Sequence, residues 1–333
     1  MNHAGAFAIG TFRADGPEFP GLVLQTKVLD LGSAVDELAL GQRFTVRDLL
    51  DSWDRLLPVL ASLADATAAT EPSASGPVWS LDELTVLAPV EPRQVLQSGA
   101  NYHQHVVDLA VAHTDIADGR SAEEVRSETR ALMELRAIDG APYVFIGLPT
   151  AVAGVDAALT LPHYSEKHDW ELELAAVIGR RAFRVSREQA LEYVAGYTIV
   201  NDVSTRDLVF RKDMKEIGTD WFRSKNAPGF LPTGPFIVPA AFVGDPAALT
   251  VTLELNGQVM QNESTADMIF PVEAIVAAAS EITPLLPGDL ILTGSPAGNG
   301  MHWGRLLRDG DVMDSRITGL GAQHTVCVAE KAK

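Results

Sequence analysis

Cysteine is almost absent from this chain of 333 residues, because Cys327 is the only one. No intrachain disulfide can form, and the composition is typical of proteins in a reducing compartment. Basic residues are also scarce: 26 lysines and arginines stand against 44 aspartates and glutamates, which gives a net charge of -18. Nucleic acids and anionic membranes carry phosphate charge that such a protein repels, so we expect neither as a partner.

Long apolar runs are missing as well. No stretch reaches the ~18 residues of a membrane-spanning helix, and the N-terminus has no basic start followed by a hydrophobic run, so we expect a cytoplasmic protein. The glycine-rich runs contain no G-x-G-x-x-G after a strand and no Walker sequence, so no nucleotide site is predicted. With 47% hydrophobic and 21% charged residues, the chain has the composition of a globular protein with one large core and a smaller unit.

The most informative stretch is 169–179, where carboxylates interrupt an apolar strand. Side chains alternate on a strand, so Glu171 and Glu173 point to the same side. Asp202 follows the next strand-like run. Carboxylates this close repel one another unless a cation or a proton neutralises part of their charge. Three oxygen ligands suit one Mg2+ or Mn2+ ion better than zinc. The alternative is a solvated strand face that carries two glutamates.

Ordered motifs run through most of the chain, from about residue 94 to 328. In chain order they are 101–102 with His105, 169–179, 195–198, 201–207, Trp221 with Lys225, 233–235, 256–257, 287–289, 293–298 and 319–321. Their residues and order resemble the fumarylacetoacetate hydrolase superfamily. The resemblance implies a metal site at Glu171, Glu173 and Asp202, and it implies a homodimer.

The resemblance also implies the fold class. We predict an α+β, mostly β protein whose rolled β-sandwich catalytic core spans residues 93–333. A small N-terminal α+β domain is predicted over residues 1–92. In this domain 6–13 and 21–31 read as strands, and Thr45 with Asp48 begins a helix that continues to residue 60. Further along, Ser121 with Glu124 begins another helix, and Asn256-Gly257 fits a type I′ hairpin turn.

Roles around the metal follow from the same resemblance. The segment from residue 101 resembles a lid helix whose His105, oriented by Asp108, does proton chemistry. The two side chains are three positions apart, so on a helix they share a face and can form a hydrogen bond. Lys225 matches a lysine of the family's site. The predicted substrate-binding residues are Tyr102, Gly147, Arg206, Thr293, Gly294 and Ser295, although Arg206 fits a structural ion pair equally well.

Gly147 is a departure from the family pattern. Many members that cleave acylpyruvates carry a lysine at this place. Without that cation, one contact to a substrate carboxylate or oxyanion must come from another residue or must be absent. The glycine also leaves room beside the metal. We therefore expect a bulkier substrate than the small acylpyruvates.

The resemblance implies metal-dependent hydrolysis of a carbon-carbon bond in a β-diketo or 2-oxo acid, of the acylpyruvate or fumarylacetoacetate type. An alternative is decarboxylation or keto-enol isomerisation of a 2-oxo or 2-hydroxydienoic acid in aromatic catabolism, which needs a proton carrier but no attacking water. A third hypothesis is a binding protein without catalysis. In each case the partner is a small-molecule acid.

Overall fold

The structure is a computed structural model that describes residues 6–69, 76–113 and 120–331. The strands are β1 (Ala8–Arg13), β2 (Phe19–Leu24), β3 (Lys27–Asp30), β4 (Val78–Ser80), β5 (Thr85–Val86), β6 (Val95–Gly99), β7 (Tyr143–Gly147), β8 (Val152–Ala153), β9 (Leu159–Leu161), β10 (His168–Asp169), β11 (Leu172–Ile178), β12 (Val194–Asn201), β13 (Ser204–Thr205), β14 (Leu231–Pro232), β15 (Val238–Pro239), β16 (Thr250–Leu255), β17 (Gln258–Ser264), β18 (Leu290–Leu292), β19 (Val312–Ile317) and β20 (Gly321–Ala329). The helices are α1 (Val35–Leu38), α2 (Val46–Asp51), α3 (Trp53–Ala68), α4 (His103–His113), α5 (Ala122–Asp139), α6 (Trp221–Lys225), α7 (Ala240–Val243), α8 (Val272–Ile282) and α9 (Gly300–Trp303).

The N-terminal part forms a five-stranded sheet in the order β4-β3-β2-β1-β5. The predicted strand over 21–31 is wrong, because it is two strands joined by a tight turn in which Gln25 has a φ of 56°. The predicted helix at Thr45 is confirmed, with a capping box to Asp48. It ends at Asp51, however, and a second helix begins at Trp53.

A six-stranded sheet in the order β15-β12-β11-β18-β6-β7 lies at the centre of the molecule. All seven residues of β11 are buried, because both faces of this sheet are covered. Leu172, Leu174 and Ala176 lie in one hydrophobic core, whereas Ala175 and Val177 lie in another that includes residues of α2 and α3. Alternate residues of β11 therefore contribute apolar side chains to the cores on the two faces of the sheet.

The first of these cores lies between the central sheet and a second sheet in the order β17-β16-β19-β20-β9. The hairpin between β16 and β17 turns at Asn256 and Gly257, whose φ values of 53° and 79° are both positive, as the predicted type I′ turn requires. The helix predicted at Ser121 is also confirmed as α5, with the capping box to Glu124.

The second core joins the N-terminal part to the central sheet. Trp53 and Leu60 of α3 share it with Val177 of β11 and Leu290 of β18. The division at residue 92 therefore remains a prediction. In the described part of the chain, no helix combines the length and the apolar character needed to cross a lipid bilayer.

Candidate metal centre

Three carboxylates meet where β12 ends and its antiparallel neighbour β11 begins. Glu173 lies on β11, Glu171 just precedes it, and Asp202 directly follows β12. The main-chain N–H of Asp202 donates to the carbonyl of Glu171 at 2.8 Å, which fixes the register at this point. One oxygen of each carboxylate lies within 4.8 Å of the others, and all three residues are buried. The structure therefore brings the predicted ligands together.

Lys225, at the end of α6, lies among these carboxylates. Its Nζ donates to Glu171 Oε2 at 2.6 Å and to Ser204 Oγ at 2.7 Å, and it also contacts Asp202 Oδ2. The residue is 3% exposed. A buried ammonium group is stable only when its charge and its three N–H donors are matched, and here oxygen atoms meet both needs.

Arg206 pairs with two carboxylates. Its Nη2 lies 2.8 Å from Glu171 Oε1, and its Nε lies 2.7 Å from Asp169 Oδ2. Asp169 in turn accepts the main-chain N–H groups of Gly300 and Met301 at 2.5 and 3.2 Å. Arg206 thus connects the metal centre to the start of α9. This arrangement agrees with the interpretation of Arg206 as a structural ion-pair residue. The substrate-binding role of Arg206 remains a prediction.

The acidic and basic charges in this cluster do not balance. The carboxylates are Asp169, Glu171, Glu173 and Asp202, and the cations in contact with them are Lys225 and Arg206. Four negative charges against two positive charges leave an excess of two. One divalent cation would cancel this excess, and an all-oxygen donor set suits Mg2+ or Mn2+. The residues present therefore fit the implied metal.

The carboxyl pKa values reflect this imbalance. Burial opposes the ionisation of Glu171, but Arg206 and Lys225 outweigh burial and lower its pKa. Burial and the neighbouring Asp202 raise the pKa of Glu173 well above its ordinary value. Burial also raises the pKa of Asp202, to about 6, despite the Lys225 ammonium. Glu173 is the carboxyl that most lacks a cation.

The loop after β18 supports the centre from a neighbouring strand. Gly294 has a φ of +90°, and its N–H donates to Glu173 Oε2 at 2.7 Å. Thr293 Oγ1 donates to a main-chain carbonyl of β11 at 2.9 Å, and Ser295 Oγ accepts from Gln261 Nε2 at 3.0 Å. These groups hold one another and one ligand in place. Their predicted contacts with a substrate remain predictions.

Helix α4, the predicted lid, buries His105 within electrostatic range of Glu171 but does not pair it with Asp108. Burial lowers the pKa of His105 to about 4, although Glu171 acts in the opposite direction. Asp108 accepts from Gln104 Nε2 at 2.7 Å, and its Oδ2 lies 3.3 Å from His302 Nδ1. The hydrogen bond expected between His105 and Asp108 is not formed between these two described residues, and the carboxylate contacts Gln104 and His302 instead. With this pKa the His105 imidazole is neutral at pH 7.

An aromatic wall, formed by Tyr143, Phe145 and Trp221, flanks Lys225. The rings of Phe145 and Trp221 stack with centroids 4.8 Å apart, and Lys225 Nζ lies 5.8 and 5.7 Å from the two centroids. Trp221 Nε1 donates to the Tyr143 hydroxyl at 2.7 Å. Contacts of this kind favour a cation over the ring faces. Tyr102, by contrast, is fully buried, with its hydroxyl beside Thr293.

The space expected at Gly147 is occupied. Gly147 pairs with Val95 across β7 and β6, and a Cβ atom at this position would lie 2.9 Å from Gln97 Oε1. Gln97 Nε2 donates to Asp202 Oδ1 at 2.7 Å. The inference that the glycine leaves room for a bulkier substrate is therefore wrong, because the amide of Gln97 fills that room. Sequence reasoning missed Gln97, which lies 105 positions from Asp202.

Comparisons with known proteins agree with this geometry. The family model described as fumarylacetoacetate (FAA) hydrolase C-terminal matches residues 94–328. The Xenopus laevis protein "Oxaloacetate tautomerase fahd2, mitochondrial" is 30% identical over 283 residues, which cover 82% of this chain and 80% of that protein. The "2,4-didehydro-3-deoxy-L-rhamnonate hydrolase" of Sphingomonas sp. (strain SKA58) is 40% identical over 185 residues, which cover 55% of this chain and 63% of that protein.

A solved structure extends the likeness to almost the whole chain. The 2-hydroxyhepta-2,4-diene-1,7-dioate isomerase from Mycobacterium marinum has a TM-score of 0.68 and 27% identity, and the match covers 98% of this chain and 100% of that one. The strand-rich α+β architecture is thus shared with that structure. With the family model matched over residues 94–328, the chain belongs to the fumarylacetoacetate hydrolase family.

Proposed function

We propose that this protein is a divalent-metal enzyme that interconverts the keto and enol forms of a 2-oxo acid. The observation that carries the proposal is the placement of a buried histidine, His105, within electrostatic range of a buried cluster of three carboxylates. Interconversion needs a group that removes a proton from the carbon next to the 2-oxo group and returns it to the substrate. It needs no activated water.

Each part of the centre has a task in this reaction. A divalent cation held by Glu171, Glu173 and Asp202 would supply Lewis-acid stabilisation of the negative charge that develops on the 2-oxo oxygen. His105 has a free ring nitrogen at pH 7, because burial lowers its pKa to about 4. That nitrogen accepts the proton from C3, and a proton is delivered to the 2-oxo oxygen to give the enol; the reverse transfer to C3 regenerates the keto form.

All three N–H donors of the Lys225 ammonium group are engaged in this structure. Its three N–H groups are directed to Glu171, Asp202 and Ser204. We therefore assign it first to balancing the charge of the carboxylates. Contact with a substrate oxyanion, the role that the sequence suggests, requires that it exchange one of these partners.

The relatives support proton transfer. One relative at 30% identity is named an oxaloacetate tautomerase, and a solved structure at 27% identity is named a 2-hydroxyhepta-2,4-diene-1,7-dioate isomerase. Both names describe a rearrangement of a 2-oxo or 2-hydroxydienoic acid without cleavage. We propose that the carboxylate cluster and His105 carry out a reaction of this kind in this chain.

Hydrolysis of a carbon-carbon bond, the function that the sequence favours first, is the second candidate. A base is present for it, and a relative at 40% identity is named a hydrolase. In hydrolytic triads an acidic partner orients the histidine, whereas Asp108 contacts Gln104 and His302. We therefore propose hydrolysis second, after proton transfer.

The test follows both reactions in one sample. Wild-type protein with Mn2+ or Mg2+ is given oxaloacetate in deuterated buffer, and exchange at C3 is followed by NMR. Pyruvate release from acetylpyruvate and from bulkier acylpyruvates is measured in parallel. We expect catalysed exchange that is lost in His105→Gln and kept in the control His103→Gln, a histidine on the same helix.

Two outcomes would contradict the proposal. Pyruvate release with a larger kcat/KM than the exchange reaction would establish the hydrolase. Bound metal without acceleration of either reaction would favour a binding protein for a small acid. We also propose a homodimer with one divalent cation per subunit, which sedimentation velocity and metal analysis can check.

A further inference from the structure

Gln97 is a buried polar residue whose two amide atoms have different surroundings. The residue is 1% exposed and lies in β6. Its Nε2 donates to Asp202 Oδ1 at 2.7 Å, whereas its Oε1 has no hydrogen-bond partner among the described residues. A carboxylate can only accept, so the nitrogen must be the atom that faces Asp202. The contact with Asp202 therefore determines the orientation of the amide.

An unpartnered buried oxygen is unfavourable for folding. An apolar side chain of the same size at position 97 would fill the space without leaving this oxygen unpaired. The hydrogen bond to Asp202 is the single polar contact recorded for the Gln97 side chain in the described residues. The polar residue at this position therefore points to a role at Asp202 and not in the hydrophobic core.

Gly147 is the counterpart of Gln97 on the neighbouring strand. A Cβ atom here would lie 2.9 Å from Gln97 Oε1, 3.0 Å from Gln97 Cδ and 3.2 Å from Val95 Cγ1. Its φ is not in the left-handed region, so the backbone does not require glycine at this point. A Cβ atom at this position would instead displace the Gln97 amide.

We propose that Gln97 is a positioning residue for the metal ligand Asp202 and that Gly147 provides the clearance that lets the amide reach it. Lys225 contacts Oδ2 of the same carboxylate, so the two side chains hold Asp202 from both oxygens. Hydrogen bonds to a ligating carboxylate orient it for the metal, and loss of such a contact usually lowers metal affinity about 10- to 100-fold. This role rests on the metal site of the proposed function and not on the choice of reaction.

The test is Mn2+ binding to the full chain, measured by isothermal titration calorimetry with no substrate present. Gln97→Met keeps the size of the side chain and removes the donor. Gly147→Ala keeps every polar atom and pushes the amide away. We expect each variant to bind Mn2+ about 10- to 100-fold more weakly than the wild type.

The pair also predicts non-additivity. In Gln97→Ala the amide is gone, so adding Gly147→Ala should change the Mn2+ affinity by less than about twofold. Gln323→Met and Gly10→Ala are the matched controls, because Gln323 is a buried amide on β20 and Gly10 is crowded only by phenylalanine side chains. Both controls should bind Mn2+ as the wild type does.

The outcomes separate this role from the function. Wild-type affinity in Gln97→Met, or an equal loss from Gly147→Ala with and without Gln97, would overturn the positioning role while the metal site stands. Failure of the wild type to bind Mn2+ would overturn both. If Gln97→Met does not fold, as judged by circular dichroism, Gly147→Ala carries the test, because all of its hydrogen-bonding groups remain.

Discussion

The metal wall of the site and the lid over it are held by different kinds of contact. The metal wall comprises Glu171, Glu173 and Asp202 with Lys225 in contact with two of them. The register of β11 and β12 and the main-chain bond from Asp202 to Glu171 place the carboxylates. The lid is α4, which carries His105 and Asp108 and packs against α5 and α9.

The difference lies in how many alternatives each part has. A strand in the middle of a sheet cannot shift by one residue without turning its side chains to the wrong face. A helix at the surface is held by side-chain pairs that can be exchanged, as the contact of Asp108 with His302 shows. We therefore expect substitutions in the wall to affect stability and metal binding, and substitutions in the lid to affect turnover.

The largest effect is expected in the wall, from Lys225→Met. Removing one member of a buried ion pair leaves uncompensated charge and typically costs about 3–5 kcal/mol. The free energy of unfolding of the metal-free protein, measured in urea, should fall by that amount. The exposed control Lys212→Met should change it little. An unchanged value in Lys225→Met would mean that the carboxylates do not depend on the ammonium group.

The lid should show the opposite pattern in His105→Ala. A positioned general base contributes roughly 10²- to 10⁴-fold to turnover, so activity should fall by that factor. Mn2+ affinity should stay at the wild-type value, because α4 supplies no carboxylate to the cluster. A parallel loss of Mn2+ affinity would show that the lid and the wall are not separable.

A pH dependence of stability is expected from the same histidine. Its ordinary pKa is 6.5, and burial lowers the pKa to about 4 in the folded protein. As pH falls from 6.5 to 4, His105 is protonated in the unfolded chain but stays neutral in the folded protein. The free energy of unfolding therefore decreases over this range. His105→Gln should remove this part of the acid loss. Parallel stability curves for both proteins from pH 7 to 4 would contradict the assignment.

The smallest effect is expected from Asp108→Asn. Asp108 contacts Gln104 and His302 and not His105, so its loss should weaken turnover by about fivefold or less, which is the weight of one ordinary hydrogen bond. Steady-state rates decide the matter. A loss of 10²-fold or more would show that Asp108 orients His105 during turnover. Hydrolysis would then be the better-supported function.

What could be predicted from the sequence follows the same division. Alternation along β11 predicts that Glu171 and Glu173 share a side, and the ordered motifs add Asp202, because strand periodicity is local and strong. The capping box at Ser121 predicts the start of α5 for the same reason. Such features depend on neighbours within a few residues.

Errors arose where local patterns continue through a break. Apolar spacing runs unbroken from residue 46 to 60, yet the chain turns at Ser52 and makes two helices. The turn at Gln25 carries no glycine, so the strand before it seemed to continue. Neither Gln97 nor the stack of Phe145 on Trp221 could be predicted, since these contacts join residues 105 and 76 positions apart.

The most direct test of the account is Mn2+ titration of the wild type and of Glu173→Ala by calorimetry, with far-ultraviolet circular dichroism of both proteins and Glu192→Ala as an exposed control. The central claim is that three buried carboxylates form a site for a divalent cation. We predict one Mn2+ per wild-type chain, an unchanged control, and no detectable binding by Glu173→Ala with the folded spectrum retained. Wild-type Mn2+ affinity in Glu173→Ala would contradict the claim.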